Sequence, residues 1–179
     1  MLTWVGFAIA AGFLALVGLM VAGDTLTDPG GWKGLGLTAL WLAPLVALVA
    51  LAFYRPDASI PVLAVATLPA VGFGVWALLD YEGARGWEDQ NGPVSLVLVL
   101  VVAPALVVLG LSRPRPAGLL LVGVTVVPLV LAMLGAGSEW LMALSIGVVS
   151  APILVCGVLY LIAGRSRVGS VGHVREAHP

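Results

Sequence analysis

Polar residues interrupt this chain at fairly regular intervals. Between them lie apolar runs of 19 to 24 residues, at about 2–22, 34–54, 60–79, 93–112, 117–135 and 140–163. A helix of that length crosses a hydrocarbon layer of ~30 Å. Val and Ile are frequent in the runs, but the polar/apolar alternation of a membrane β-barrel is absent. Helices are then the spanning structure that remains, because lipid offers no partner for a backbone amide left unbonded within its own segment. The pattern predicts an all-α integral membrane protein. Residues 1–163 form one six-helix transmembrane bundle, and 164–179 form a short cytoplasmic tail.

Composition leads to the same class. Of 179 residues, 61% are hydrophobic and 9% charged, with a mean hydropathy of +1.14. A water-soluble domain carries roughly a quarter charged residues. The first run starts without Lys or Arg, stays apolar to Ala22, longer than a signal-peptide core, and lacks a convincing small-x-small cleavage site, so it reads as a retained span and not a secretory leader.

The net charge of −1 conceals a segregation along the chain. Arg55, Arg113, Arg115, Arg165, Arg167 and Arg175 follow the even-numbered runs. Asp24, Asp28, Asp80, Glu82, Glu88, Asp89 and Glu139 fall in the other connections, together with Lys33 and Arg85. The positive-inside rule counts Lys and Arg, so it puts the Arg-Pro connections and both termini in the cytoplasm, in a multi-pass cell-membrane topology. Trp4, Trp32, Trp76, Trp87 and Trp140, with Tyr54 and Tyr81, sit near run ends, where an amphipathic ring suits the headgroup layer. Pro61, Pro93 and Pro116 mark helix starts, where a missing N–H costs nothing.

Ala43-Pro44, Ala103-Pro104 and Ala151-Pro152 lie at matched depth in the even runs, each with an Arg 9 to 13 residues later. This reads as a triplicated out-and-back hairpin or as convergent membrane grammar, since loop lengths differ and the odd runs match poorly.

The chemistry available to such a chain is narrow. No run interior holds an Asp, Glu, Lys, Arg or His, the residues that mark proton relays and ion paths at membrane depth. His173 and His178 lie in the tail and Cys156 is the lone cysteine, which leaves no ligand set for haem or zinc inside the bundle. Ser95, Ser145, Ser150, Thr38, Thr67 and Thr125 have no base in their own runs. Their expected role is bonding to a carbonyl one turn back or to a neighbouring helix. Asp80 and Glu82 read as part of a solvated acidic loop, and Glu88-Asp89-Gln90-Asn91 lacks the spaced ligands of a calcium loop. No catalytic residue, metal or cofactor is expected.

Two features carry the remaining functional content. Five runs have a proline near mid-depth: Pro44, Pro69, Pro104, Pro128 and Pro152. Each frees the carbonyl four residues earlier, on Leu40, Val65, Leu100, Val124 and Val148. Converging, these carbonyls would form a polar midplane site for a solute, as broken helices do in transporters; otherwise the kinks only shape packing. The first run lacks proline and is rich in small residues. Ala8/Gly12 and Ala11/Ala15 form small-xxx-small pairs, a helix-docking face directed at the rest of the chain or at a partner.

Two functions suit this inventory. One is a non-catalytic accessory or assembly subunit of a larger membrane complex. The other is a transport component that binds a small apolar or amphipathic solute in a midplane cavity. In length and helix count the chain is similar to the substrate-binding subunits of energy-coupling-factor vitamin transporters. That likeness is one of architecture, without the polar ligand-binding residues of that family. The partners expected are the lipid bilayer and a membrane protein or second copy of the chain, with no nucleic acid.

Overall fold

The computed structural model describes residues 1–27, 31–91, 94–135 and 150–165. They form eight helices and no strand: α1 (Leu2–Thr27), α2 (Gly31–Tyr54), α3 (Pro56–Ala66), α4 (Leu68–Leu79), α5 (Tyr81–Asn91), α6 (Val94–Ser112), α7 (Pro114–Gly135) and α8 (Ser150–Arg165). Four stretches are long and apolar enough to cross a membrane. They are Leu2–Gly23, Pro56–Leu79, Val94–Ser112 and Pro114–Gly135. Thr38–Tyr54 and Ser150–Arg165 are shorter apolar helices within the second and sixth expected spans. Glu139, Trp140, Val148, His173 and His178 lie outside the described residues.

Helix starts differ from the expectation in a systematic way. The third span begins at Pro56, just after Arg55, with Pro61 inside the helix; the fifth begins at Pro114, just after Arg113. In each Arg-Pro junction the first proline takes the opening helical position, where its fixed φ suits the helix and no N–H is needed. Pro56–Leu79 is not one smooth rod, because Thr67 forms a turn between α3 and α4 just before Pro69. The Thr67 hydroxyl donates to Ala64 O at 2.7 Å, and Thr125 donates to Leu121 O at 2.8 Å. Both hydroxyls bond back along their own helix, which satisfies them in an apolar setting.

The segment after α4 was expected to be a loop and is a helix. Asp80 ends α4 and starts α5: its carboxylate Oδ1 accepts from Gly83 N–H at 2.9 Å, an N-cap, and Glu82 follows in the acid-favouring first turn. Trp87 then folds back onto α4, with its ring 5.8 Å from that of Trp76 and 6.3 Å from that of Phe73. Of the polar residues that make this segment look like loop, Glu82 and Gln90 are exposed, while Arg85, Glu88 and Asp89 border a cavity.

Helix α6 is the axis of the bundle. It packs against α1, α2, α3, α4, α5 and α7, and Leu100, Val102, Ala103, Ala105, Leu106, Val107 and Leu109 are buried around its circumference. α8 reaches it through Tyr160, whose hydroxyl donates to Val107 O at 2.7 Å in a fully buried contact. Glycines set the closest approaches. A Cβ on Gly110 would overlap the Tyr160 ring, one on Gly118 would lie 2.8 Å from Gly157 O, and one on Gly74 would lie 2.9 Å from Pro128 Cα. The outer surface is apolar, with Leu16, Leu19, Met20, Leu40, Val65 and Leu79 all well exposed. A continuous surface of that kind suits lipid and not water.

The two ends of the bundle are distinct. Asp57 accepts an ion pair from Arg113 at 2.8 Å, so the second and fourth connections share an end. Gly164 lies against the backbone of Arg115, which brings the close of α8 to that same end. α5, with its carboxylates and Trp87, lies at the other.

Candidate functional site

A cavity of about 450 Å³ lies between α1, α4, α6, α7 and α8, beside α5. Its body is apolar: Phe13, Leu14 and Val17 from α1, Ala70, Phe73, Gly74 and Ala77 from α4, Val99 and Leu100 from α6, Val124, Pro128, Leu129 and Ala132 from α7, and Ile153 from α8. Thr125 and Ser150 add hydroxyls to the wall. Its mouth is polar and belongs mostly to α5, which contributes Tyr81, Arg85, Glu88 and Asp89, with Ser95 from the first turn of α6. Arg85 and Asp89 are exposed, so the cavity reaches the surface at the acidic end.

Glu88 ties the mouth together. Its Oε1 accepts from Ser95 N–H at 2.8 Å, so a carboxylate of α5 caps the N-terminus of α6. That is an acid placed at the positive end of a helix dipole, bonded to an amide that the helix itself leaves unpaired. The bond holds α5 across the top of the cavity.

The structure distributes the five mid-depth prolines unevenly. Pro128 lines the cavity, as do Leu100 and Val124, the residues whose carbonyls Pro104 and Pro128 release. Pro44 and Pro69 are exposed on the outer surface, and Leu40 and Val65, which they would release, are 73% and 65% exposed. Pro152 is half-buried on α8, and its carbonyl partner Val148 lies outside the described residues. The prolines therefore form no single ring among the described residues; two of the five released carbonyls belong to cavity residues.

The small-residue face of α1 points away from the bundle. Ala8, Gly12 and Ala15 are exposed and Ala11 is half-buried, and a Cβ on Gly12 would meet nothing within 4 Å. The bundle is met instead by Thr3, Gly6, Ala10 and Leu14, with Gly6 facing Cys156 and Leu159 of α8. α1 thus has two small faces, and the inward one was not singled out from sequence. Glu88, Arg85 and Asp89 were also missed as site residues, because the helix that collects them was read as a loop. A signal was present in the spacing of Tyr81, Ala84 and Glu88 behind the capping Asp80.

Among the described residues no group of His, Cys, Asp and Glu is disposed to hold a metal ion. Glu88, Asp89 and Gln90 sit at successive helical positions, which fans their side chains around α5 instead of gathering them. Comparison with protein-family models, curated proteins and solved structures finds no match for this chain.

Proposed function

We propose that this is a six-span protein of the cell membrane, with both termini cytoplasmic, that binds a small amphipathic solute as a non-catalytic transport component. The observation that carries this reading is the cavity of about 450 Å³, with apolar walls and a polar mouth. Pockets for small ligands have this size and this division of labour, the walls supplying affinity and a few polar groups supplying orientation. The shared end of the Arg-Pro connections supports the up-down course of the spans, and the positive-inside rule supplies their direction. A triplicated hairpin remains attractive for the even spans, although Ala43 is exposed and Ala103 fully buried, so equivalent positions have acquired different surroundings.

Purification in mild detergent followed by mass spectrometry of released small molecules tests the reading. The wild-type protein should carry an amphiphile that is lost in Ala70→Phe, whose ring would occupy the cavity. Identical small-molecule content in both proteins, or none in either, would refute it.

A second reading, an accessory subunit of a larger complex, is favoured by one observation: the outward small-residue face of α1 has no occupant among the described residues. Gly12→Leu should then abolish co-purification of a membrane-protein partner. The two readings are compatible, since a solute-binding subunit of a transporter also docks.

A further inference from the structure

The charges at the cavity mouth specify more than amphipathic character. Among the described residues, three charged ones line the cavity, Arg85, Glu88 and Asp89, all on α5. One guanidinium against two carboxylates leaves a negative excess, and Asp80 and Glu82, exposed at the start of the same helix, extend it. Arg85 is already engaged in an interaction within the protein. The other feature that would welcome an anion, the N-terminus of α6, has its Ser95 N–H taken by Glu88.

The aromatic part of the lining is suited to positive charge as well. Phe13, Phe73 and Tyr81 bring aromatic rings to the cavity. Ring faces attract cations through their quadrupole, and more strongly where water is excluded. A compact, strongly hydrated cation would lose its hydration on entering such a space. A cation whose charge is dispersed over apolar groups loses little.

Resting on the solute-binding reading, we infer that the cavity takes an amphipathic cation, a hydrophobic amine or onium ion. Its apolar groups lie among Phe13, Phe73, Leu100 and Val124, and its positive charge lies at the Glu88–Asp89 mouth.

The test is equilibrium binding to the full-length protein in lipid nanodiscs, with empty nanodiscs subtracted. Three probes of similar shape are compared: tetraphenylphosphonium, the anion tetraphenylborate and neutral triphenylphosphine oxide. The variants are Glu88→Gln, which keeps an acceptor for Ser95 N–H, Asp89→Asn, the two combined, and Ala70→Phe.

The expected result is saturable binding of the cation, at least tenfold tighter than the neutral probe. The double carboxamide variant should lower cation affinity about tenfold and leave the neutral probe unchanged, while Ala70→Phe should remove both. Cation and neutral probe binding equally, with no effect of the carboxamides, would overturn the charge assignment and leave the cavity reading standing. Preferential binding of tetraphenylborate would overturn it in favour of Arg85. If none of the probes bound above empty nanodiscs, or if Ala70→Phe changed nothing, the cavity reading would itself fall.

Discussion

Gly110 and Tyr160 should act as a single unit, and the bundle's tightest helix contact depends on it. The Tyr160 ring occupies the space that a side chain on Gly110 would need, and its hydroxyl reaches Val107 O on the same helix, 2.7 Å away. Gly110→Ala would drive a methyl into the ring. Overpacking of this kind costs about 1–3 kcal/mol. A displaced ring also forfeits its hydrogen bond in a dry interior, a further ~1–3 kcal/mol, so the variant should lose about 2–6 kcal/mol. Tyr160→Phe keeps the ring and loses only the bond; inter-helix bonds in membranes average about 0.6 kcal/mol and reach about 1.7. Tyr160→Ala, which opens a cavity, should cost about 3–5 kcal/mol. The decisive protein is Gly110→Ala/Tyr160→Ala. With the ring gone the three closest neighbours of the methyl are gone too, so the double variant should be no less stable than Tyr160→Ala alone. Independent effects would add. Unfolding free energies in mixed micelles, from tryptophan fluorescence over a denaturing-detergent titration, provide the measurement. If Gly110→Ala costs as much with Tyr160 absent as with it present, glycine is needed there for some other reason and the steric argument is refuted.

Three further outcomes follow from the same geometry. Gly118→Val should destabilise by about 1–3 kcal/mol because a Cβ there meets the Gly157 carbonyl, whereas Gly123→Ala, with open space around it, should stay within about 0.5 kcal/mol in the same titration. Gly12→Leu and Ala15→Leu should leave the melting temperature of the isolated protein unchanged, since both positions face outward; a loss of stability would show that the α1 face is covered by the chain itself. Asp57→Ala should cost no more than about 1 kcal/mol, as the Asp57–Arg113 pair is largely exposed, and single cysteines at Asp57 and Arg113 in a Cys156→Ala background should react with an impermeant maleimide from one side of the membrane while one at Gln90 reacts from the other.

Hydropathy alone located the four stretches long and apolar enough to cross a membrane, because length and the exclusion of charge are constraints imposed by lipid. It could not show which way a span faces. In water the inside of a helix is marked by a change from polar to apolar, but α1 is apolar all round. Gly6 and Ala10 face the bundle while Ala8, Gly12 and Ala15 face away, and nothing in their chemistry separates the two sets. The same ambiguity affects the prolines: Pro44 and Pro128 are equally visible in sequence, yet one is exposed and the other lines the cavity. α5 was hidden for the opposite reason. Its charges suggested solvent, and its helix depends on the Asp80 cap and on Trp87 stacking against α4, a tertiary contact that polarity does not encode.

The cavity lies towards one end of the bundle, and this bears on what a solute could do once bound. Towards the Arg end, Gly118, Gly157 and Gly164 let α7 and α8 approach almost backbone to backbone, and the Tyr160 ring packs against Gly110 of α6. Towards the acidic end, Gly74 and Gly135 bring α4 and α7 equally close, α4 ends at Asp80, and α1, α4, α6 and α7 surround the cavity beneath α5. On the solute-binding reading, entry and exit at the acidic end pass α5, which the Glu88–Ser95 bond and the aromatic contacts of Trp87 hold in place. Passage to the other side would require the glycine seam to part, breaking the Tyr160–Val107 bond and exposing closely packed backbone. Bonds at a helix terminus and at an exposed ring open at far lower cost than a buried core. On the solute-binding reading, the architecture therefore favours capture by this chain over passage across the membrane.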